Sequence, residues 1–352
     1  MVPTPHSGRS ACWTLSACLS ITPFHHAGES GMSRTPGSRH DGCRFEHQGP
    51  VIGFLVSSVT RIIEACIIIT SRCGHDRPQG HGIVPVTRIA FLGDINGGPG
   101  RRALKQMLPR LKAEYSPDYV VINGENARNG SGLTPAIMKE FLEAGVDGVT
   151  LGDHAYRDQR ILTHLEQADQ PVARPANLSS NAIGKSCLRL RSTEQNHPEL
   201  HVMTVLGRVY LPFPANDPFE CVDRYLEQVG SLGGIILIEA HMEATSEKIA
   251  LAHHLDGRVA AVVGTHTHVP TADARILPSG TAFITDVGMC GPYDSVIGRN
   301  KEAVLKHMTT SLHVPYDMAE GDVRLCGAVI DVDDSTLLST SITRIEYSMD
   351  PD

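Results

Sequence analysis

A chain of 352 residues is long enough for one large domain or two ordinary ones, which excludes a bare peptide or a small module. With 41% apolar, 20% charged and 5% aromatic residues it reads as a globular protein and not as a mainly disordered one. The formal net charge of -8 excludes a protein that grips nucleic acid through a general basic field, so no stable nucleic-acid partner is expected, and a small anionic substrate would need a local cation.

The first quarter differs in kind from the rest. Residues 1 to 86 carry seven Arg, no Lys and five acids, together with five of the nine Cys (Cys12, Cys18, Cys43, Cys66, Cys73), seven of the eighteen His and the only tryptophan, Trp13. No pair there has the CxxC or HxxxH spacing of a zinc site, and the scattered Cys set gives no disulfide framework, so reduced thiols and a cytoplasmic location are expected. The patch Ala11 to Ile21 is broken by Ser and Thr and reads as no signal peptide. The run Val51 to Thr70 has Arg61 and Glu64 at its middle, each costing about 3 kcal/mol in a bilayer, so no membrane span is expected. Residues 1–85 are expected to be a disordered or non-native extension, with the functional domain over 86–350.

From residue 86 one grammar repeats: an apolar run suited to a buried strand, a polar turn, then a helical pattern. Arg88 to Leu92 leads into Gly93-Asp94, and Tyr119 to Ile122 into Asn123-Gly124-Glu125-Asn126. Thr134-Pro135 reads as a helix cap and first turn, and Gly145 as its stop. Gly148 to Leu151 leads into Gly152-Asp153-His154, and Pro218 to Val229 reads as a helix. Ile235 to Ile238 leads into Glu239-Ala240-His241, Ser246 to Leu255 is helical, and Ala260 to Val263 leads into Gly264-Thr265-His266-Thr267-His268. Thr281 to Thr285, Gly327 to Val332 and Ser341 to Tyr347 read as further strands, enough for a second sheet packed on the first. The pattern predicts an α/β fold with its ligands at the carboxyl ends of strands.

The strand-end residues Asp94, Glu125, Asn126, Asp153, His154, His241, His266 and His268 are all oxygen or imidazole donors. That mix suits iron, manganese or zinc, and not a Cys-rich zinc site or an all-oxygen calcium cage. Six or seven ligands exceed what one catalytic ion needs, so two ions sharing a carboxylate are expected, divalent or trivalent, with iron taken first and manganese or zinc next. Such a pair polarises a phosphoryl oxygen and makes hydroxide available from a bridging water at neutral pH. His154, beside a ligand position, would protonate the leaving alkoxide.

Alone, most of these residues have ordinary readings as turn, helix-start or core residues. His266-Thr267-His268 is the most specific pair, two imidazoles leaving one strand together. Asn96 to Gly100 resembles a phosphate cradle but lacks the GxxxxGK[ST] pattern. His164 and His253-His254 read as surface or packing residues, Cys290 as a site-lining or packing thiol, and Arg174 to Asn177 and Phe213 to Asp217 as cleft segments.

Taken in order, Gly93-Asp94, Asn123-Gly-Glu125-Asn126, Gly152-Asp153-His154, His241-Met-Glu-Ala-Thr-Ser-Glu-Lys248, Gly264-Thr-His-Thr-His268 and Thr285-Asp-Val-Gly-Met289 resemble the YmdB-like bacterial metallophosphoesterases of the calcineurin-like superfamily. The resemblance covers about residues 86 to 348. It implies a four-layer αββα sandwich and a two-metal phosphodiesterase acting on 2',3'-cyclic nucleotides, with a small-molecule partner and a homo-oligomer. It further implies that Asp94, Asn126 and His268 hold one metal, His241 and His266 the other, that Glu125 bridges, and that His154 is the proton donor. Where that family normally has Gly-Asn-His, this chain has Gly152-Asp153-His154, replacing a neutral amide by a carboxylate that can still ligate. The alternatives on the same metals are a broader phosphomonoesterase or nuclease and, in another class, a low-turnover regulatory protein that binds nucleotide or metal.

Overall fold

The computed structural model of the chain describes residues 85–192, 197–229 and 233–349. The expectations for residues 1–84, the Val51 to Thr70 run included, lie outside the described residues. In chain order the described strands are β1 (Val86–Leu92), β2 (Asp94–Ile95), β3 (Tyr119–Asn123), β4 (Gly148–Thr150), β5 (Val172–Ala173), β6 (Leu188–Leu190), β7 (Leu200–Leu206), β8 (Ile235–His241), β9 (Ala261–Thr265), β10 (Arg275–Ile276), β11 (Ala282–Ile284), β12 (Met289–Pro292), β13 (Val323–Asp333) and β14 (Leu338–Ser348). The α-helices are α1 (Gly97–Tyr115), α2 (Pro135–Ala144), α3 (Leu162–Leu165), α4 (Pro218–Val229), α5 (Thr245–His254) and α6 (Lys301–Thr310).

The first sheet runs β2-β12-β13-β1-β3-β4-β5, with β14 on β13, and the second runs β10-β11-β9-β8-β7-β6. Strands β1, β3, β4 and β5 are mutually parallel, as are β7, β8, β9 and β11. Successive side chains of a strand point to opposite faces, and the near-continuous apolar runs of the central strands make both faces apolar, as a sheet covered on both sides requires. Ile89, Phe91, Tyr119 and Val121 join Leu200, Val202, Leu237 and Val263 in a core between the sheets. Ala90, Leu92, Val120 and Ile122 instead pack on Leu104, Leu108 and Leu111 of α1 and on Ile137, Met138 and Phe141 of α2. On the far side Met203, Val205, Ile238 and Val262 meet Val222 of α4 and Leu251 and Ala252 of α5. Three apolar cores between successive layers give the αββα sandwich. Among the described residues, no helix is long and apolar enough to cross a membrane.

Helix α2 begins and ends as its sequence predicts: the Thr134 side chain accepts from the Ile137 N–H at 3.3 Å, and Gly145 closes it with a left-handed φ of 93°. Several elements depart from expectation. The Gly-rich Asn96 to Gly100 stretch is helix start and not a free loop: Asn96 is the N-cap and Gly97 onward forms the first turn of α1. Strand β8 continues through Glu239 to His241, because these polar side chains find buried partners. Strands β13 and β14 each reach 11 residues, and β7, β12 and α6 are additional. Cys290 is fully buried in the core beneath α1, its Sγ 3.3 Å from the Cys326 carbonyl, and is a packing residue. The His254 imidazole pairs with Asp223 at the surface.

The turn after β9 is tied down from below. The carboxylate of Asp286 accepts from Lys248 Nζ of α5 at 2.8 Å, from the Thr267 hydroxyl at 2.8 Å and N–H at 3.2 Å, and from the Gly288 N–H at 2.8 Å. Lys248 and Asp286 are both buried. The turn they hold is strained, since His266 and His268 take φ values of 92° and 65°, each costing about 1–3 kcal/mol. Lys248→Met leaves the Asp286 charge without its cation and is expected to cost about 3–5 kcal/mol in urea unfolding. A loss below about 1 kcal/mol would contradict a structural role for this pair.

Candidate functional site

All eight predicted residues lie at or just past the carboxyl ends of strands, and both sheets contribute. Asp94 is in β2, Glu125 and Asn126 follow β3, Asp153 and His154 follow β4, His241 ends β8, and His266 and His268 follow β9. Glu125, Asp153, His241 and His266 offer ligand atoms that all lie within 4.8 Å of one another. Asp94, Glu125 and His268 gather around the Asn126 amide, whose Nδ2 is 3.2 Å from Glu125 Oε1, 3.2 Å from His268 Nε2 and 3.4 Å from Asp94 Oδ1. Gly152 is required by this crowding, because a Cβ there would stand 2.3 Å from His241 Nε2 and 2.4 Å from Glu125 Oε2.

Each imidazole has one nitrogen engaged by the protein and the other aimed inward. Thr265 gives its hydroxyl proton to Glu239 Oε1 at 2.8 Å, so its oxygen accepts from His241 Nδ1–H at 2.9 Å. His268 Nδ1–H donates to the Ile297 carbonyl at 3.0 Å. His266 Nε2 faces Glu243 Oε2 at 3.3 Å. The remaining nitrogens, His241 Nε2, His268 Nε2 and His266 Nδ1, turn toward the carboxylates. Outer hydrogen bonds of this kind fix the tautomer of metal-binding histidines.

The inner atoms crowd like with like. Around His241 Nε2 stand Asp153 Oδ1 at 3.1 Å, His266 Nδ1 at 3.2 Å and Glu125 Oε1 at 3.3 Å. Acceptors packed this closely need positive charge among them. Protonation of His241 is one source, and its pKa, which burial alone would depress, is driven well above the ordinary histidine value by Glu125, Asp153 and Asp94. Burial also favours neutral Asp153, but hydrogen bonds from His241 and His266 outweigh it and hold the carboxyl below the usual range. Asp94 has less compensation, and burial lifts it to about 7. A metal cation answers the same demand with the imidazole lone pairs left intact, so the donor set fits a metal ion.

His154 stands apart from this ligand-like geometry. Its Nδ1–H donates to Asn126 Oδ1 at 2.7 Å and its backbone N–H to Glu125 Oε2 at 2.9 Å, while Nε2 lies 3.6 Å from Asp153 Oδ2. It lines a cavity of about 460 Å³ together with Glu125, Asn126, His266 and His268. The segments Arg174 to Asn177 and Phe213 to Asp217 do not line this cavity; Asn177 is spent on the carbonyls of Leu206 and Asn216. Sequence reasoning passed over Glu239, Thr265, Glu243 and Ile297, which orient the histidines from behind. The only signal for Glu239 was a carboxylate inside an otherwise apolar strand.

The family model described as YmdB-like protein matches residues 90–345. The 2',3'-cyclic-nucleotide 2'-phosphodiesterase of Bacillus subtilis (strain 168) is 45% identical over 258 residues, covering 73% of this chain and 96% of that relative. A crystal structure of a protein from Thermus thermophilus is 40% identical with a TM-score of 0.69, covering 75% of this chain and 100% of its own. That of a novel phosphatase from Mycoplasma pneumoniae is 32% identical with a TM-score of 0.70, covering 76% and 95%. The chain belongs to the YmdB-like family.

Proposed function

We propose that residues 86–350 form a metal-dependent phosphodiesterase that opens 2',3'-cyclic nucleotides to nucleoside monophosphates. The name of the Bacillus subtilis relative supports the substrate class. The observation that carries the reading is the convergence of three inward imidazole nitrogens and three carboxylates beside a cavity with no cation to spare. Arg299 is the one Lys or Arg among the residues lining that cavity, and its guanidinium is held by the carbonyls of Asn129, Gly130 and Tyr316. An anionic phosphodiester entering beside Glu125 and Glu243 therefore needs bound metal to offset their charge.

In this reading Asp94, Asn126 and His268 would hold one ion, His241, His266 and Asp153 would hold a second, and Glu125 would be shared between them. Iron, manganese and zinc all accept such donors. When bound, the ions supply positive charge to the phosphoryl oxygens and generate a nucleophile from water at neutral pH. The chain's own residues do the rest. Because Asn126 Oδ1 accepts the Nδ1 proton of His154, the proton for the leaving ribose oxygen is carried on Nε2, the nitrogen left open to the cavity. The buried walls around Glu125 keep the carboxylates and imidazoles in place before substrate arrives.

His154→Ala in the metal-loaded full chain is expected to lower kcat on 2',3'-cyclic AMP by about 100-fold or more, with metal content by elemental analysis unchanged. Retention of activity within about threefold would remove His154 from the reaction. Asp153→Asn takes one of the carboxylates Asp94, Glu125 and Asp153 away from an anionic substrate. The expected result is a severalfold rise in turnover or a changed order among iron, manganese and zinc, and identical kinetics with all three metals would count against an electrostatic role for Asp153.

A further inference from the structure

The cavity has two chemically different ends, and the second has no part in holding metal or moving protons. Val296, Ile297, Val304, Met308 and Tyr316, all from the stretch between β12 and β13, form an apolar wall continuous with the donor cluster. Three of them are large side chains left in contact with solvent: Ile297 is 55% exposed, Met308 71% and Tyr316 39%. An apolar face of this kind opening onto a polar site is the usual form of a ligand subsite.

The wall is registered to the chemistry. Ile297 is a β-branched residue at a left-handed φ of 46°, a conformation kept only where the surroundings enforce it. Its carbonyl accepts from His268 Nδ1 at 3.0 Å and from Asn96 Nδ2 at 3.3 Å, so the backbone that presents the Ile297 side chain also orients a metal-donor imidazole. Arg299 ties the two sides of the cavity together, donating to the carbonyls of Asn129 at 3.0 Å and Gly130 at 2.7 Å on one side and of Tyr316 at 3.3 Å on the other. The His307 ring meets Tyr316 edge-on at 5.7 Å and fixes its plane.

We infer that this wall receives the nucleobase, stacking on Tyr316 and Ile297 while the cyclic phosphate reaches the donor cluster. The inference rests on the cyclic-nucleotide reading and adds where selectivity comes from. Three of the five wall side chains have no hydrogen-bonding atom and Met308 offers only a weakly accepting thioether, so the wall grips a base by its faces and leaves its edge largely unread. Purine and pyrimidine substrates are then handled alike, with the larger stacking surface of purines giving the lower KM.

The test compares wild type, Met308→Ala and Tyr316→Ala on 2',3'-cyclic AMP and on the base-free methyl riboside 2',3'-cyclic phosphate. Met308 is 71% exposed on the wall, so Met308→Ala removes apolar surface while leaving the Ile297 carbonyl that orients His268 in place. Each variant is expected to raise KM for the nucleotide about tenfold and to lower the nucleotide to base-free ratio of kcat/KM about tenfold. Equal losses on both substrates, or no change in KM, would overturn the base site. So would loss of a dimer in light scattering with KM unchanged, which would assign the face to a second copy. Saturation-transfer NMR with adenosine separates the two claims. If wild type hydrolyses neither substrate, the phosphodiesterase reading fails, while transfer to the adenine protons that both variants abolish still supports the base site. Absent or unchanged transfer overturns it.

Discussion

The site depends on one buried carboxylate that is not itself a candidate ligand. Glu239 lies inside β8 with no exposure and accepts from Asn123 Nδ2 at 2.7 Å, the Thr204 hydroxyl at 2.6 Å and the Thr265 hydroxyl at 2.8 Å. Asn123 belongs to the first sheet and the two threonines to the second, so this charge joins the sheets where their strand ends meet. An unpaired buried carboxylate would be costly, but three donors satisfy it. Two consequences reach the donors: Asn123 Oδ1 accepts the Glu125 N–H at 3.0 Å, and Thr265 fixes the outer nitrogen of His241. The fold supplies the frame, and Glu239 sets which atoms point inward.

Electrostatics at the inner face is the other organising term. Carboxylates of Asp94, Glu125 and Asp153 and the imidazoles of His241, His266 and His268 share a volume too small for their lone pairs without added positive charge. Asp153 intensifies this, since a carboxylate stands where the family resemblance gives a neutral amide. The same residue reaches toward His154 Nε2, so one side chain touches both the donor cluster and the cavity-lining histidine. The Asp286–Lys248 pair works at longer range, keeping His266 and His268 in backbone conformations they would not adopt alone.

Much of this was legible in the sequence because the donors interrupt apolar runs. Asp94, Glu125 and His241 are polar residues at points where a buried strand would otherwise continue, and Thr134 and Gly145 mark the ends of α2 by local chemistry. What stayed hidden depends on distant partners. Glu239 has its partners at separations of 116, 35 and 26 residues, and Lys248 meets Asp286 across 38. Strand β7 gave no alternating signal because every one of its residues is buried, His201 and Thr204 included. The apolar wall of the cavity takes Val304 and Met308 from one face of α6 but Val296, Ile297 and Tyr316 from the irregular segments on either side, so only the folded chain brings those side chains together.

If Glu125 is shared by two metal-holding groups, metal content reports it most directly. The full chain and Glu125→Ala are each equilibrated with manganese, iron or zinc, freed of excess metal, checked for folding by circular dichroism and analysed for ions per chain. Wild type should retain about two ions, and folded Glu125→Ala should retain few or none, because both groups lose a donor at once. One ion or none in wild type, or two still held by Glu125→Ala, would contradict a shared carboxylate.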